Sequence, residues 1–213
     1  MALPVLLCSA AAQESCKLAE MGTGRVASVR DGRTLLLTDG RELRLAAIEV
    51  TDESRGALQS LVGGRDVRLK KLGSGQDRYG RLVAFVYVDD SQQSVQQAMV
   101  EQGQARVSAR IGDKSCADAM LRAERTARLA RQGLWTDPNF APLKSENINQ
   151  IAAARGQFAL AEGKVLSVRK SGATAYLNFG RRRTRDFTVT ILSNVIGWNS
   201  PPQAPIQNGW RLI

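Results

Sequence analysis

"VRDGRTLLLTDGRELRLAAIEVTD", residues 29–52, is the stretch on which the fold turns. Two leucine-rich runs, "TLLLT" and "RELRLAAI", flank Asp39-Gly40, a pair that tolerates positive φ and marks a tight hairpin. Leu43, Leu45 and Ala47 fall on one face of the second strand, which turns Arg44 to the other. Charged residues collect at both rims: Asp31 and Arg33 before the first strand, Glu49 and Asp52 after the second. Such an arrangement suits a metal and a phosphate, yet Arg33 stands where a metal site would want another carboxylate.

The pattern continues on either side. "GRVASV", from residue 24, is a further strand, and residues 54–62 place Ala57, Leu58, Leu61 and Val62 at helical spacing before Gly63-Gly64. "DVRLKKL" and "RLVAFVYV" are strands joined by the loop "GSGQDRYG". "SVQQAMVEQG" predicts a helix with Ser94 as cap, Gln97 at the reciprocal capping position and Gly103 as stop. "SCADAMLRAERTARLARQGLW" repeats the device with Ser115, Asp118 and Gly133; Met120, Ala123, Ala127, Ala130 and Leu134 form its apolar side. Five short strands with helices after the third and fifth predict a β-rich α+β fold, a five-stranded barrel of the oligonucleotide/oligosaccharide-binding (OB) type with three helices.

Pro138 and Pro142 break the pattern. The expected organisation is a residual signal-like segment at 1–15, the barrel domain at 16–138, a linker at 139–155 and a second, truncated β-rich OB-like unit at 156–213. The strands of that last unit are "FALAEGKVLSVRK", "TAYLNFG", "DFTVTIL" and "GWRLI".

Thirty Lys and Arg against 20 Asp and Glu give a net charge of +10. A surface of that sign attracts nucleic acid or another polyanion, because each cation brought to a phosphate releases condensed counterions. The run "RRRTR" at 181–185 reads either as a solvated basic hairpin or as part of such a surface. The chain has no histidine, which excludes a Ser-His-Asp triad, an HExxH zinc site and a histidine general base. No run of 18 apolar residues spans a membrane. "MALPVLLCSAAA" resembles the apolar part and cleavage site of an export signal and points to a secreted or periplasmic protein. Loss of that segment removes Cys8 and leaves Cys16 and Cys116, which pair as a disulfide after export or stay as two buried thiols. Oligomeric state leaves no mark in the sequence.

"DGRTLLLTDGRELRLAAIEV", "DRYGRLVAFVYVDD", "MVEQGQARV" and "AERTARLARQGLW" together resemble, in order and spacing, the thermonuclease (staphylococcal nuclease-like) family over about residues 24–138. "YLNFG" and "DFTVTI" look like a β-barrel module that follows nuclease domains in some secreted bacterial proteins. The family resemblance implies calcium-dependent (Ca2+) hydrolysis of DNA and RNA phosphodiesters. A hard cation and two arginines neutralise charge at phosphorus while a carboxylate activates water. Matched position by position, Arg44 and Arg81 stand at the two catalytic arginines. Arg78 and Tyr79 match positions that touch a terminal phosphate, and Ala109 stands where the family has an aromatic.

The carboxylates depart from the pattern. The family's Asp-Gly-Asp-Thr is Asp31-Gly32-Arg33-Thr34 here, so a calcium ligand has become a cation beside the remaining ligand position, Asp31. The family's Asp-Thr-Pro-Glu or Asp-Ala-Pro-Glu is Glu49-Val50-Thr51-Asp52, with Glu49 at a metal ligand and Asp52 at the catalytic base. One methylene moved on each arm shifts the oxygens by about 1 Å, a displacement that costs about 100-fold in rate. Arg33 repels calcium, pairs with Glu49 and Asp52 or grips a phosphate: like charges 4 Å apart cost ~4 kcal/mol at an effective dielectric near 20. Without the resemblance, Arg44 and Arg81 read as rim arginines paired with Glu42 or Asp77.

These departures predict a nucleic-acid-binding member of the family with a degenerate calcium site, weakly active or inactive as a phosphodiesterase. The alternatives are an active secreted calcium-dependent endonuclease and an envelope protein-interaction module.

Overall fold

Leu35, Leu37, Leu43 and Leu45, each 2% exposed or less, form the apolar row at the centre of the hairpin. Leu35 lies opposite Leu43 in the register, so the row closes on itself across the pair. The computed structural model describes residues 16–192 apart from 109, 110, 112, 158, 183 and 184. The signal-like segment, Ala109 and the strand expected at "GWRLI" lie outside the described residues, as does part of the "RRRTR" run.

The first compact unit ends at Leu134. Its strands are β1 (Ala19–Asp31), β2 (Thr34–Leu37), β3 (Glu42–Leu45), β4 (Ile48–Val50), β5 (Asp66–Lys71), β6 (Leu82–Val88) and β7 (Ala105–Val107). Its helices are α1 (Ser54–Val62), α2 (Val95–Glu101) and α3 (Lys114–Leu129). A closed barrel runs in the order β1-β2-β3-β6-β5. The expected five-stranded barrel with three helices is therefore present. Closure depends on the long β1, which pairs with β5 through its first half and with β2 through its second. Register shifts along it let one strand bend around the barrel wall.

Three local expectations are corrected. "RELRLAAI" is not one strand: Ala47 adopts φ 66° and separates β3 from β4, which leaves the barrel to pair with β7. Ser108 N–H donates to the Ala47 carbonyl (2.8 Å) and Ala46 N–H to that of Ala84 (3.0 Å), so tertiary bonds hold the kink against its backbone preference. Ser94 does cap α2 through the Gln97 N–H, but the Gln97 side chain turns to Glu101 instead of closing the reciprocal cap. The cap of α3 is Asp113, which accepts from the Cys116 N–H at 2.9 Å. Ser115 lies inside the helix and donates to Asp113; a carboxylate at the N-terminus also complements the helix dipole.

Met120, Ala123 and Ala127 of α3 enter the core, whereas Ala130 is exposed and Glu124 is buried. Gly103 and Gly133, at φ 66° and 54°, pack backbone against backbone, and a Cβ on either would strike the other's neighbourhood. Leu134 N–H donates to the Gly103 carbonyl at 2.8 Å across that contact.

The second unit begins at Trp135. Its described elements are β8 (Leu143–Lys144) paired with β9 (Ala161–Glu162), helix α4 (Ile148–Ala153), and an antiparallel sheet of β10 (Ser167–Ser171), β11 (Thr174–Asn178) and β12 (Thr188–Leu192). The run "FALAEGKVLSVRK" is divided between β9 and β10. Val165, Leu177 and Phe179, with Phe187, Val189 and Ile191 against them, make a small separate core. A closed barrel does not form among the described residues of this unit.

Candidate nucleic-acid interface

The site begins at the turn between β1 and β2. Asp31 Oδ1 accepts the Arg33 backbone N–H at 2.8 Å, a local turn that fixes where Arg33 leaves the chain. Gly32 is required by space: a Cβ there would lie 2.9 Å from Ser54 Cβ and 3.0 Å from the Thr51 carbonyl. This close approach sets the turn against the segment that enters α1.

From there the Arg33 guanidinium reaches β4. Nη1 lies 2.5 Å from Glu49 Oε2, with both side chains partly exposed. The other Glu49 oxygen accepts from Ser108 Oγ at 3.3 Å. Both oxygens of Glu49 are thus occupied, one by a cation and one by a hydroxyl.

Arg44 sits on β3, opposite Thr34 on one side and Val83 on the other. Burial holds its pKa below the usual guanidinium range, and the charges of Arg33 and Arg81 push the same way; Glu49 and Asp31 oppose them. Arg33 and Arg81 are therefore both within electrostatic reach of Arg44. Arg44 remains protonated throughout, and Glu49 and Asp77 already pair with the two neighbouring guanidinium groups.

Arg81 is set by Asp77. Asp77 Oδ1 accepts the backbone N–H of Tyr79 (2.9 Å) and of Arg81 (3.1 Å), while Oδ2 accepts Arg81 Nε at 2.8 Å. Burial raises the Asp77 carboxyl, but the Arg81 guanidinium and these N–H donors outweigh it and leave the group below the usual carboxylate range. The loop turns Tyr79 outward, 68% exposed, with Arg78 4.8 Å and Arg81 5.3 Å from its ring centroid.

Arg33, Arg44, Arg81, Glu49 and Asp31 are thus brought together, with Arg78 and Tyr79 on the loop that carries Arg81. Asp52 is exposed in the turn before α1. Asp31, Glu49 and Asp52 do not converge: among the described residues no three His, Cys, Asp or Glu side chains are placed to hold a metal. Sequence reasoning missed Ser108, since nothing in spacing announces the β4–β7 pairing that delivers it.

A closed OB-type barrel with arginines gathered at one rim presents guanidinium donors of the kind that match phosphate oxygens. Residues 37–137 match the family of staphylococcal nuclease homologues, so the chain carries a domain of that nuclease family, a kind of domain that suggests nucleic-acid binding. The match takes in Arg44, Glu49, Asp52, Arg78, Tyr79 and Arg81 and begins beyond the Asp31–Arg33 turn. No curated protein matches the chain.

Proposed function

We propose that the barrel grips the phosphodiester backbone through Arg44 and Arg81 and does not hydrolyse it efficiently, because an arginine stands in for the family's metal. The ion pair between Arg33 and Glu49 at 2.5 Å carries this reading. Calcium takes about six to eight oxygen ligands. Of the candidate ligands here, Glu49 is shared between Arg33 and Ser108, and one Asp31 oxygen is engaged by the Arg33 N–H. This donor set does not fit the ion. A guanidinium supplies positive charge in the same region but offers no coordination position at which a water could be activated.

The arginine cluster keeps its use without a metal. Paired donors from Arg44 and Arg81 match phosphate oxygens, and Tyr79 with its two cationic neighbours offers a surface at the rim. Cys16 and Cys116 form a disulfide, and no helix among the described residues is long and apolar enough to cross a membrane. An oxidising compartment, secreted or periplasmic, is the setting that keeps such a bond.

Cleavage of fluorescent single-stranded DNA and RNA, with calcium titrated against chelator, tests the reading. Wild type is expected to leave both intact at every calcium level, and Arg33→Asp to gain calcium-dependent cleavage. Calcium-dependent cleavage by wild type that disappears in Arg81→Ala would establish an active nuclease instead.

A further inference from the structure

The outer face of the β10–β12 sheet is polar and centred on an aromatic. Tyr176 of β11 lies opposite Arg169 on β10 and Thr190 on β12, with the Arg169 guanidinium 4.9 Å from its ring centroid. Two residues along, on the same face, Asn178 donates to Ser167 Oγ at 3.0 Å and accepts from Thr188 at 3.3 Å. The alternate residues of β11, Ala175 and Leu177, are buried on the other face, and Asn178 is buried as well, so Tyr176 is the half-exposed side chain between them. Asn178 and Ser167 also line a cavity of about 400 Å³ with Leu166, Gly180 and Arg181. The cavity has a cation, Arg181, in its wall and is lined by Asn178, two residues along β11 from the tyrosine.

Charge on this part of the chain is one-sided. Among described residues 163–192, Lys164, Arg169, Lys170, Arg181, Arg182 and Arg185 are basic and Asp186 alone is acidic. The one carboxylate accepts the Arg182 backbone N–H and is spent on its own turn. A solvated sheet face needs no such excess. An aromatic stacked under an arginine, flanked by hydroxyl and amide groups and surrounded by positive charge, is the chemistry that holds bases and phosphates together.

We infer that the β10–β12 face is a second nucleic-acid site, which takes a single-stranded segment with one base stacked on Tyr176 and the neighbouring backbone drawn to Arg169 and Arg181. The site is independent of the barrel arginines. It supplies a stacking surface on a part of the chain outside the matched nuclease domain.

The test uses the full chain carrying Arg44→Ala and Arg81→Ala, so that the sheet is read without the barrel clamp. Binding is measured by fluorescence anisotropy for a short mixed-sequence single-stranded DNA, its RNA counterpart and a base-free phosphodiester oligomer of equal length. Adding Tyr176→Leu is expected to weaken the two base-bearing strands about 5- to 100-fold, with no change for the base-free oligomer. Tyr176→Phe is expected to retain binding, which separates lost stacking from lost folding. Arg169→Gln should weaken all three and lower the slope of log affinity against log salt by about one. Equal affinity for base-bearing and base-free oligomers, or binding indifferent to Tyr176→Leu, would overturn the inference and leave a non-specific polyanion surface.

Discussion

In the proposed reading Arg33 decides the chemistry of the barrel, and its effect is one of sign. A carboxylate at that position would add to the negative potential of Asp31 and Glu49; the guanidinium cancels it by pairing with Glu49. Thermal unfolding of wild type is therefore expected to be unchanged by millimolar calcium. Arg33→Asp frees Glu49 and adds an oxygen ligand, so calcium should raise its melting temperature; a ligand at 100 times its Kd contributes about 2.7 kcal/mol. Arg33 and Glu49 were legible because each departs from a familiar spacing. Ser108, which holds the other Glu49 oxygen, was not, since its place depends on a strand pairing across 59 residues.

At the scale of elements, two buried polar side chains tie helices to strands. Gln96 of α2 is fully buried, accepts the Val86 N–H at 3.1 Å and donates to the Ala84 carbonyl at 2.7 Å. It satisfies the Val86 N–H and shares the Ala84 carbonyl with the Ala46 N–H. Gln96→Leu takes the side-chain partner from the Val86 N–H and leaves the Ala84 carbonyl with the Ala46 N–H, and a loss of about 1 to 3 kcal/mol is expected in urea unfolding.

Glu124 of α3 plays the matching part for β7, accepting the Val107 N–H at 2.6 Å. Burial pushes its pKa up, and the Val107 N–H and Arg128 only partly restore it. A carboxyl raised in the fold contributes stability that is full below its unfolded pKa, near 4.5, and lost as pH rises through the folded value. The stability of Glu124→Gln relative to wild type is thus expected to improve between pH 4 and pH 7. Unfolding at the two pH values checks the sign; a difference that falls or stays level contradicts it. Helical periodicity placed Met120, Ala123 and Ala127 correctly but had no means to mark Glu124, an acidic residue that the fold buries. The break in "RELRLAAI" was equally hidden, because an alanine at positive φ is imposed by its hydrogen bonds and not by its own preference.

At the scale of the whole molecule, Cys16 and Cys116 close a loop of 100 residues. A cross-link of that span constrains the unfolded chain, and replacing both cysteines by serine is expected to cost about 2 to 5 kcal/mol. The barrel was legible because hairpin turn, leucine row and helix punctuation all agreed on it. The second unit was less so. Its short strands carry few large apolar residues, and its core among the described residues is a handful of side chains around Leu177 and Phe179.

The net charge of +10 belongs to both units and makes salt the variable that any binding measurement must control. The central claim, that the barrel holds a phosphodiester with arginines and without calcium, is tested most directly by the affinity of a short single-stranded DNA at fixed ionic strength. The comparison is chelator against calcium, for wild type and for Arg44→Ala/Arg81→Ala. Equal affinity in the two conditions, with clear weakening in the double variant, is the expected result. Binding that requires calcium, or that ignores the loss of both arginines, would contradict the account.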